Sequence, residues 1–282
     1  MSRRSVQCLA GLVPLVLVLL WRTAPVAGQS GAKNGEWRYW GGDGGTTRYS
    51  PLDQINRDNV KDLRIAWRWK TENFGPRPDF NYEVTPLMVG GALYTTAGSR
   101  RAVVAIDGAT GETLWVFRYD EGVRGQAAPN RANSGRGVAY WTDGKGDERL
   151  LYVTLGYRLV ALNVKTGRPI PEFGKDGVID LYEGLDQPIP KDGWMSLTSP
   201  PAVIGDVLVV GAALQALAPA KEFVAGFPRG FDVRTGKRLW TFHTIPRPGE
   251  FGNDTWEKDS WVYTGNTGVW APMSVDEELG YV

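Results

Sequence analysis

The most constraining feature of this chain is a motif that returns three times, at 105–115 (AIDGATGETLW), 161–171 (ALNVKTGRPIP) and 230–240 (GFDVRTGKRLW). The shared pattern is A-x-D-x-x-T-G-x-x-x-W. Asn163 replaces Asp, Gly230 replaces Ala and Pro171 replaces Trp in single copies. Its local physics is that of strand, tight turn, strand. An Asp or Asn side chain bonds backbone two residues on, and the Gly supplies a positive φ. The closing Trp offers a large flat surface to a neighbouring repeat.

A second periodicity runs through the first. Residues 85–97 (TPLMVGGALYTTA) match 200–212 (PPAVIGDVLVVGA) position by position, with Gly90-Gly91 and Gly205-Asp206 as two-residue hairpin turns. Residues 137–156 form the same hairpin with a longer turn, Thr142 to Glu148. Each repeat is therefore two hairpins, or four antiparallel strands. The motif copies lie 56 and 69 residues apart, close to the roughly 40–50 residues of a propeller blade before insertions. A β-solenoid has shorter repeats, and an Ig-like array would need linkers that are missing here.

The expected fold is an all-β propeller. Three blades are complete, and a fourth begins at about Thr264. The stretch 62–71 (DLRIAWRWKT) reads as a lone strand that would close a ring. Asp276 to Gly280 reads as a turn, with Tyr281-Val282 starting the returning strand. The sequence thus stops inside a hairpin, and the expectation is a propeller truncated in its fourth blade.

The N-terminus reads separately. Arg3-Arg4, the apolar run Val6 to Leu20 and the small residues Ala24-Pro25-Val26-Ala27-Gly28 have the order of a secretory signal peptide. The run is shorter than the ~20 residues that span a bilayer. The expected division is a signal peptide over 1–28 and a partial propeller over 29–282, periplasmic or secreted. The single cysteine, Cys8, lies inside the leader, and His243 is the lone histidine. Disulfides and zinc chemistry are therefore not expected. With 32 Lys+Arg against 31 Asp+Glu and no basic run, nucleic acid is not an expected partner.

The order and spacing of several segments carry a family resemblance. The opening 36–69 (EWRYWGGDGGTTRYSPLDQINRDNVKDLRIAWRW), together with NYEVTPLMVGGALY, SGRGVAYW, LTSPPAVIGDVLVVG and RGFDVRTGKRLWTFHTIP, resembles the pyrroloquinoline-quinone (PQQ) dehydrogenases of the glucose/alcohol type. The likeness covers roughly residues 36–282. It implies an eight-bladed propeller in the full-length family, about half of it present here. It also implies oxidation of a sugar, polyol or alcohol hydroxyl, PQQ and Ca²⁺ as cofactors, and ubiquinone or cytochrome c as electron acceptor. Peripheral membrane association is compatible with such an acceptor.

Glu83 and Thr198 occupy matching places just before the first strands of their hairpins, and Arg136 stands close to that place in the intervening repeat. Such positions converge on one end of a propeller axis. The resemblance implies that Glu83, Arg136 and Thr198 contact PQQ and that Trp270 forms the floor beneath it, with Asn266 and Thr267 lining the same mouth. Trp115, Trp240, Asp107, Asn163 and Asp232 are read as structural. His243 is read as a surface residue on an outer strand.

Departures matter. The adjacent cysteine pair of alcohol-oxidising relatives is absent from 129–134, and no carboxylate stands at Gln215 or Ala216, where a calcium glutamate would fall. The catalytic aspartate and the asparagine metal ligand would lie beyond Val282. No catalytic or metal-ligating residue is therefore expected within the chain, and the chain alone is expected to be inactive. The contrasting reading is a non-enzymatic propeller of PQQ-like repeats that serves as a protein-binding scaffold.

Overall fold

The repeated turn explains the repeated sheet. In the computed structural model, Asp107 Oδ1 accepts hydrogen bonds from the N–H of Ala109 and of Thr110 and from the Thr110 hydroxyl, at 3.0, 2.8 and 3.0 Å. Asn163 does the same for Lys165 and Thr166, and Asp232 for Arg234 and Thr235. Gly111, Gly167 and Gly236 follow at φ 77°, 65° and 73°, where a Cβ would be strained. The structure describes residues 31–71, 74, 82–128, 134–187, 189, 194–214 and 222–282. The signal-peptide expectation and positions 215–216 lie outside them.

Three four-stranded antiparallel sheets follow one another in chain order. The first holds β1 (Leu87–Val89), β2 (Ala92–Ala97), β3 (Ala102–Asp107) and β4 (Thr113–Phe117). A short helix α1 (Gly122–Ala127), unforeseen in the sequence, leads to β5 (Ala139–Thr142), β6 (Glu148–Val153), β7 (Arg158–Asn163) and β8 (Val178–Asp180). After a two-residue strand β9 (Met195–Ser196) come β10 (Ala202–Ile204) and β11 (Val207–Val210). The two-residue β12 (Ala213–Leu214), which pairs with β9, precedes β13 (Arg229–Asp232) and β14 (Arg238–Thr241). The predicted hairpin registers hold: Val89 faces Ala92, Ile204 faces Val207, and Thr142 faces Glu148.

The sheets stack face to face, so their middle strands are buried on both sides and read as continuous apolar runs. Leu87, Tyr94 and Val103 of the first sheet pack on Tyr140, Leu150 and Leu162 of the second. Trp141, Leu151 and Leu159 of the second pack on Val203, Leu208 and Phe231 of the third. Burying each such side chain stabilises the fold by about 1.5–3 kcal/mol. The outermost strands β4 and β14 are largely exposed.

One motif tryptophan, Trp115, joins the first blade to the second. The Trp115 ring lies over Gly167 of the next motif, and its Nε1–H donates to Val164 O at 3.0 Å. Trp67 repeats this arrangement on Gly111 and donates to Gly108 O at 3.1 Å. Gly236 meets Ile179 instead. That is the consequence of Pro171 standing where a tryptophan would: the chain detours, and β8 delivers Ile179 to the same place.

Two expectations are corrected. Residues 62–71 form no strand; a 3₁₀ turn (Val60–Asp62) leads into an extended segment. It attaches through side chains, with Trp67, Trp69 and Phe74 packed on Ala97, Val104 and Ile106. Residues 264–282 likewise form no fourth sheet, only the isolated bridges Glu222–Thr264 and Asp276–Tyr281. Their backbone groups are spent elsewhere. Val269 O accepts from Ala212 N–H, and Val275 N–H donates to Gly44 O. The turn at Asp276 is as expected, with Oδ1 accepting from Glu278 and Leu279 N–H. Among the described residues no helix is long and apolar enough to cross a membrane.

Candidate functional site

The residues just before β1, β5 and β10 meet at one end of the three stacked sheets. Arg136 is the hub. Its Nη2 lies 2.9 Å from Glu83 Oε2, its Nη1 donates to Thr198 Oγ1 at 2.7 Å, and its backbone N–H donates to Thr198 O at 2.8 Å. The guanidinium carbon also stands 5.4 Å from the centre of the Trp270 ring, within cation–π range. Three blades and the C-terminal segment thus supply one residue each.

Local sequence explains how Arg136 is placed. It sits in Gly135-Arg136-Gly137, and both glycines have positive φ, 84° and 113°. A Cβ on Gly135 would stand 2.9 Å from Arg101 Nε, and one on Gly137 would stand 3.1 Å from Thr85 O. Only glycine allows the backbone to press between two blades there. Trp270 is held by its carbonyl, which accepts from Ser199 Oγ at 2.6 Å, while the side chain stays exposed, the residue retaining 57% of its surface. An unburied indole beside an arginine is a ready surface for a flat, anionic aromatic group.

Asn266 and Thr267 are less closely tied to this cluster. Asn266 takes a left-handed backbone (φ 59°) and donates its N–H to Val224 O. Thr267 Oγ1 pairs with Thr244 Oγ1 at 2.7 Å. No described contact links either side chain to Arg136. His243 is not on an outer strand. It follows β14, is largely covered, and its ring nitrogens lie 3.0 Å from Asp186 Oδ2 and 2.7 Å from Glu250 Oε1. Its ring also meets Phe227 edge-on. The sequence reading missed Ser199 and Arg101. For Arg101 a signal existed, since it falls at the place in its repeat that Tyr157 occupies in the next.

The fold and this cluster define a quinoprotein-type propeller. The family model "PQQ: Glucose/ethanol/alcohol dehydrogenase, beta-propeller domain" matches residues 37–282, and the chain belongs to that family. It is 33% identical over 260 residues to the glycerol dehydrogenase large subunit of Gluconobacter oxydans (strain 621H), covering 88% of this chain and 33% of the relative. It is 30% identical over 274 residues to the quinoprotein glucose dehydrogenase of Escherichia coli (strain K12), covering 92% and 32%. Among solved structures, the quinohemoprotein alcohol dehydrogenase ADHIIG of Pseudomonas putida HK5 superposes with a TM-score of 0.68 at 28% identity, over 87% of this chain and 33% of that one. The chain therefore spans about a third of the length of these relatives.

Proposed function

We propose that this chain forms the PQQ-contacting mouth of a periplasmic dehydrogenase that oxidises a sugar, polyol or alcohol hydroxyl and passes electrons to ubiquinone or cytochrome c. The observation that carries the reading is the fork of Arg136 between Glu83 and Thr198, beside the exposed face of Trp270. When bound, PQQ supplies the two-electron acceptor for hydroxyl oxidation. The chain's own residues then have separable tasks. Trp270 offers a stacking surface. Arg136 places a fixed positive charge at the rim of the ring system, where a carboxylate or a quinone oxygen accepts its hydrogen bonds. Glu83 holds the guanidinium in place, and the Thr198 hydroxyl, which accepts a hydrogen bond from Arg136, is left free to donate its own.

The donor set suits the quinone cofactor. Among the described residues no three acidic, cysteine or histidine side chains converge to hold a metal ion. No step is assigned to a metal here. On this proposal the catalytic base is also not within residues 1–282, so the chain alone binds PQQ without turning over substrate.

Isothermal titration of PQQ into the purified chain tests the reading. The expected result is saturable 1:1 binding, weakened about tenfold or more in Arg136→Ala, where a charge-assisted contact is lost. A folded chain that takes up no PQQ, or binds it equally with and without Arg136, contradicts the proposal and favours the scaffold reading.

A further inference from the structure

Beneath Arg136 lies a second arginine that the family resemblance does not assign. Arg101 is 2% exposed. Its Nη1 donates to Val153 O at 3.0 Å and to Leu197 O at 2.5 Å, so it grips the backbone one residue before Thr198. Its Nε stands where a Cβ on Gly135 would collide, directly behind Arg136. Nε and Nη2 are buried with no hydrogen-bond partner among the described residues. The charge has no counter-ion of its own: the nearby carboxylate of Glu121 attracts it but also pairs with Arg158 and caps Gly156 N–H. Burial pushes the Arg101 ionisation down to about 10, which leaves the guanidinium charged at neutral pH.

An internal control shows that the backbone clip needs no charge. Tyr157 occupies the equivalent turn of the second blade, with the same left-handed backbone (φ 59° against 51° for Arg101). Each residue closes its turn by the same backbone bond, Arg101 N–H to Gly98 O and Tyr157 N–H to Thr154 O. The Tyr157 hydroxyl donates to Gly211 O at 2.7 Å, the counterpart in the third blade of Val153 O. A neutral phenol thus makes the same blade-to-blade link. A desolvated guanidinium whose nearest carboxylate is shared with Arg158 is a costly way to make it, unless its charge is further compensated by something that the mouth receives.

We infer that Arg101 is a positioning residue for the anionic cofactor. It holds the Thr198 loop and supplies the mouth with a second, buried positive charge directed at the carboxylates of PQQ. The inference rests on the PQQ reading above. It assigns the electrostatic preference for an anion to two neighbouring arginines rather than to Arg136 alone.

The test is PQQ titration of the whole chain at low and moderate salt, together with thermal melting, for wild type, Arg101→Gln, Arg101→Met and Arg101→Lys. The two neutral variants are expected to bind at least about tenfold more weakly, with a flatter salt dependence, while Lys retains most of the affinity. Neutral variants that melt earlier but bind PQQ with unchanged affinity and salt dependence would show a purely structural clip and overturn the inference. If the neutral variants do not fold, Arg136→Ala decides. With Arg101 still present it should prefer PQQ over its uncharged trimethyl ester by about threefold or more; no preference overturns the inference. A folded wild type that binds no PQQ removes the cofactor reading itself, an outcome distinct from an indifferent Arg101.

Discussion

The rim and the mouth of this molecule are built from the same strands by opposite rules. At the rim, three turns do the same thing three times: a carboxylate or amide caps two N–H groups, a glycine turns left, and the next glycine-backed surface receives a Trp or Ile. At the mouth, the matching places of the first and third blades hold Glu83 and Thr198, and Arg136 stands one residue past that place in the second; the three share no chemistry and serve only in combination. Repetition therefore marks what holds the blades, and departure from repetition marks what they hold. Arg101 against Tyr157 is the same contrast within one pair of turns.

The comparison can be broken at several strengths. The largest stability loss is expected for Trp115→Ala, which removes the ring that seats the second motif and orphans Val164 O; about 3 kcal/mol is expected in urea unfolding. Gly167→Ala, on the other side of that contact, combines a strained φ with a collision against the ring, and about 2 kcal/mol is expected by the same measurement. Tyr157→Phe leaves Gly211 O without its donor, and a loss of about 1 kcal/mol with unchanged PQQ affinity is expected.

The smallest effect is on pH. Asp107 is held below the usual carboxylate range by the backbone N–H and hydroxyl of Thr110. Asp232 is pushed up by burial but held low by the hydroxyl and N–H of Thr235. Depressed folded values mean that this stabilisation is present above the unfolded value of about 4 and is lost as pH falls through the folded ones. Asn163 fills the same role without titrating. Asp107→Asn with Asp232→Asn should therefore flatten the acid limb of a melting-temperature profile below about pH 4; an unchanged limb would mean that the caps contribute little to it.

Much of this was legible in the sequence because turns and hairpins are local. Gly90-Gly91, Gly205-Asp206 and the three Asx-Thr-Gly turns declare themselves within a few residues. Pairing partners do not. The segment 62–71 has strand-like composition but meets no strand, and 264–282 spends its backbone on Ala212, Glu222, Val224 and Gly44. Glu83, Arg136 and Thr198 could be placed at one end because blade geometry repeats, whereas Trp270 was placed there only by the family resemblance. Arg101 was not legible from its own neighbourhood, because its surface-type side chain turns inward through a left-handed backbone that no local composition requires; only its repeat equivalence to Tyr157 marks it.

The most direct test sets two tryptophans against each other. Trp115→Ala and Trp270→Ala are compared in one experiment, by melting temperature and by PQQ affinity. The account predicts a crossing. Trp115→Ala should lower the melting temperature by about 5 °C or more and, where folded, keep its PQQ affinity. Trp270→Ala should melt like the wild type and bind PQQ about tenfold more weakly or worse. If both variants move the same readout, rim and mouth are not separate, and the division of labour proposed here is wrong.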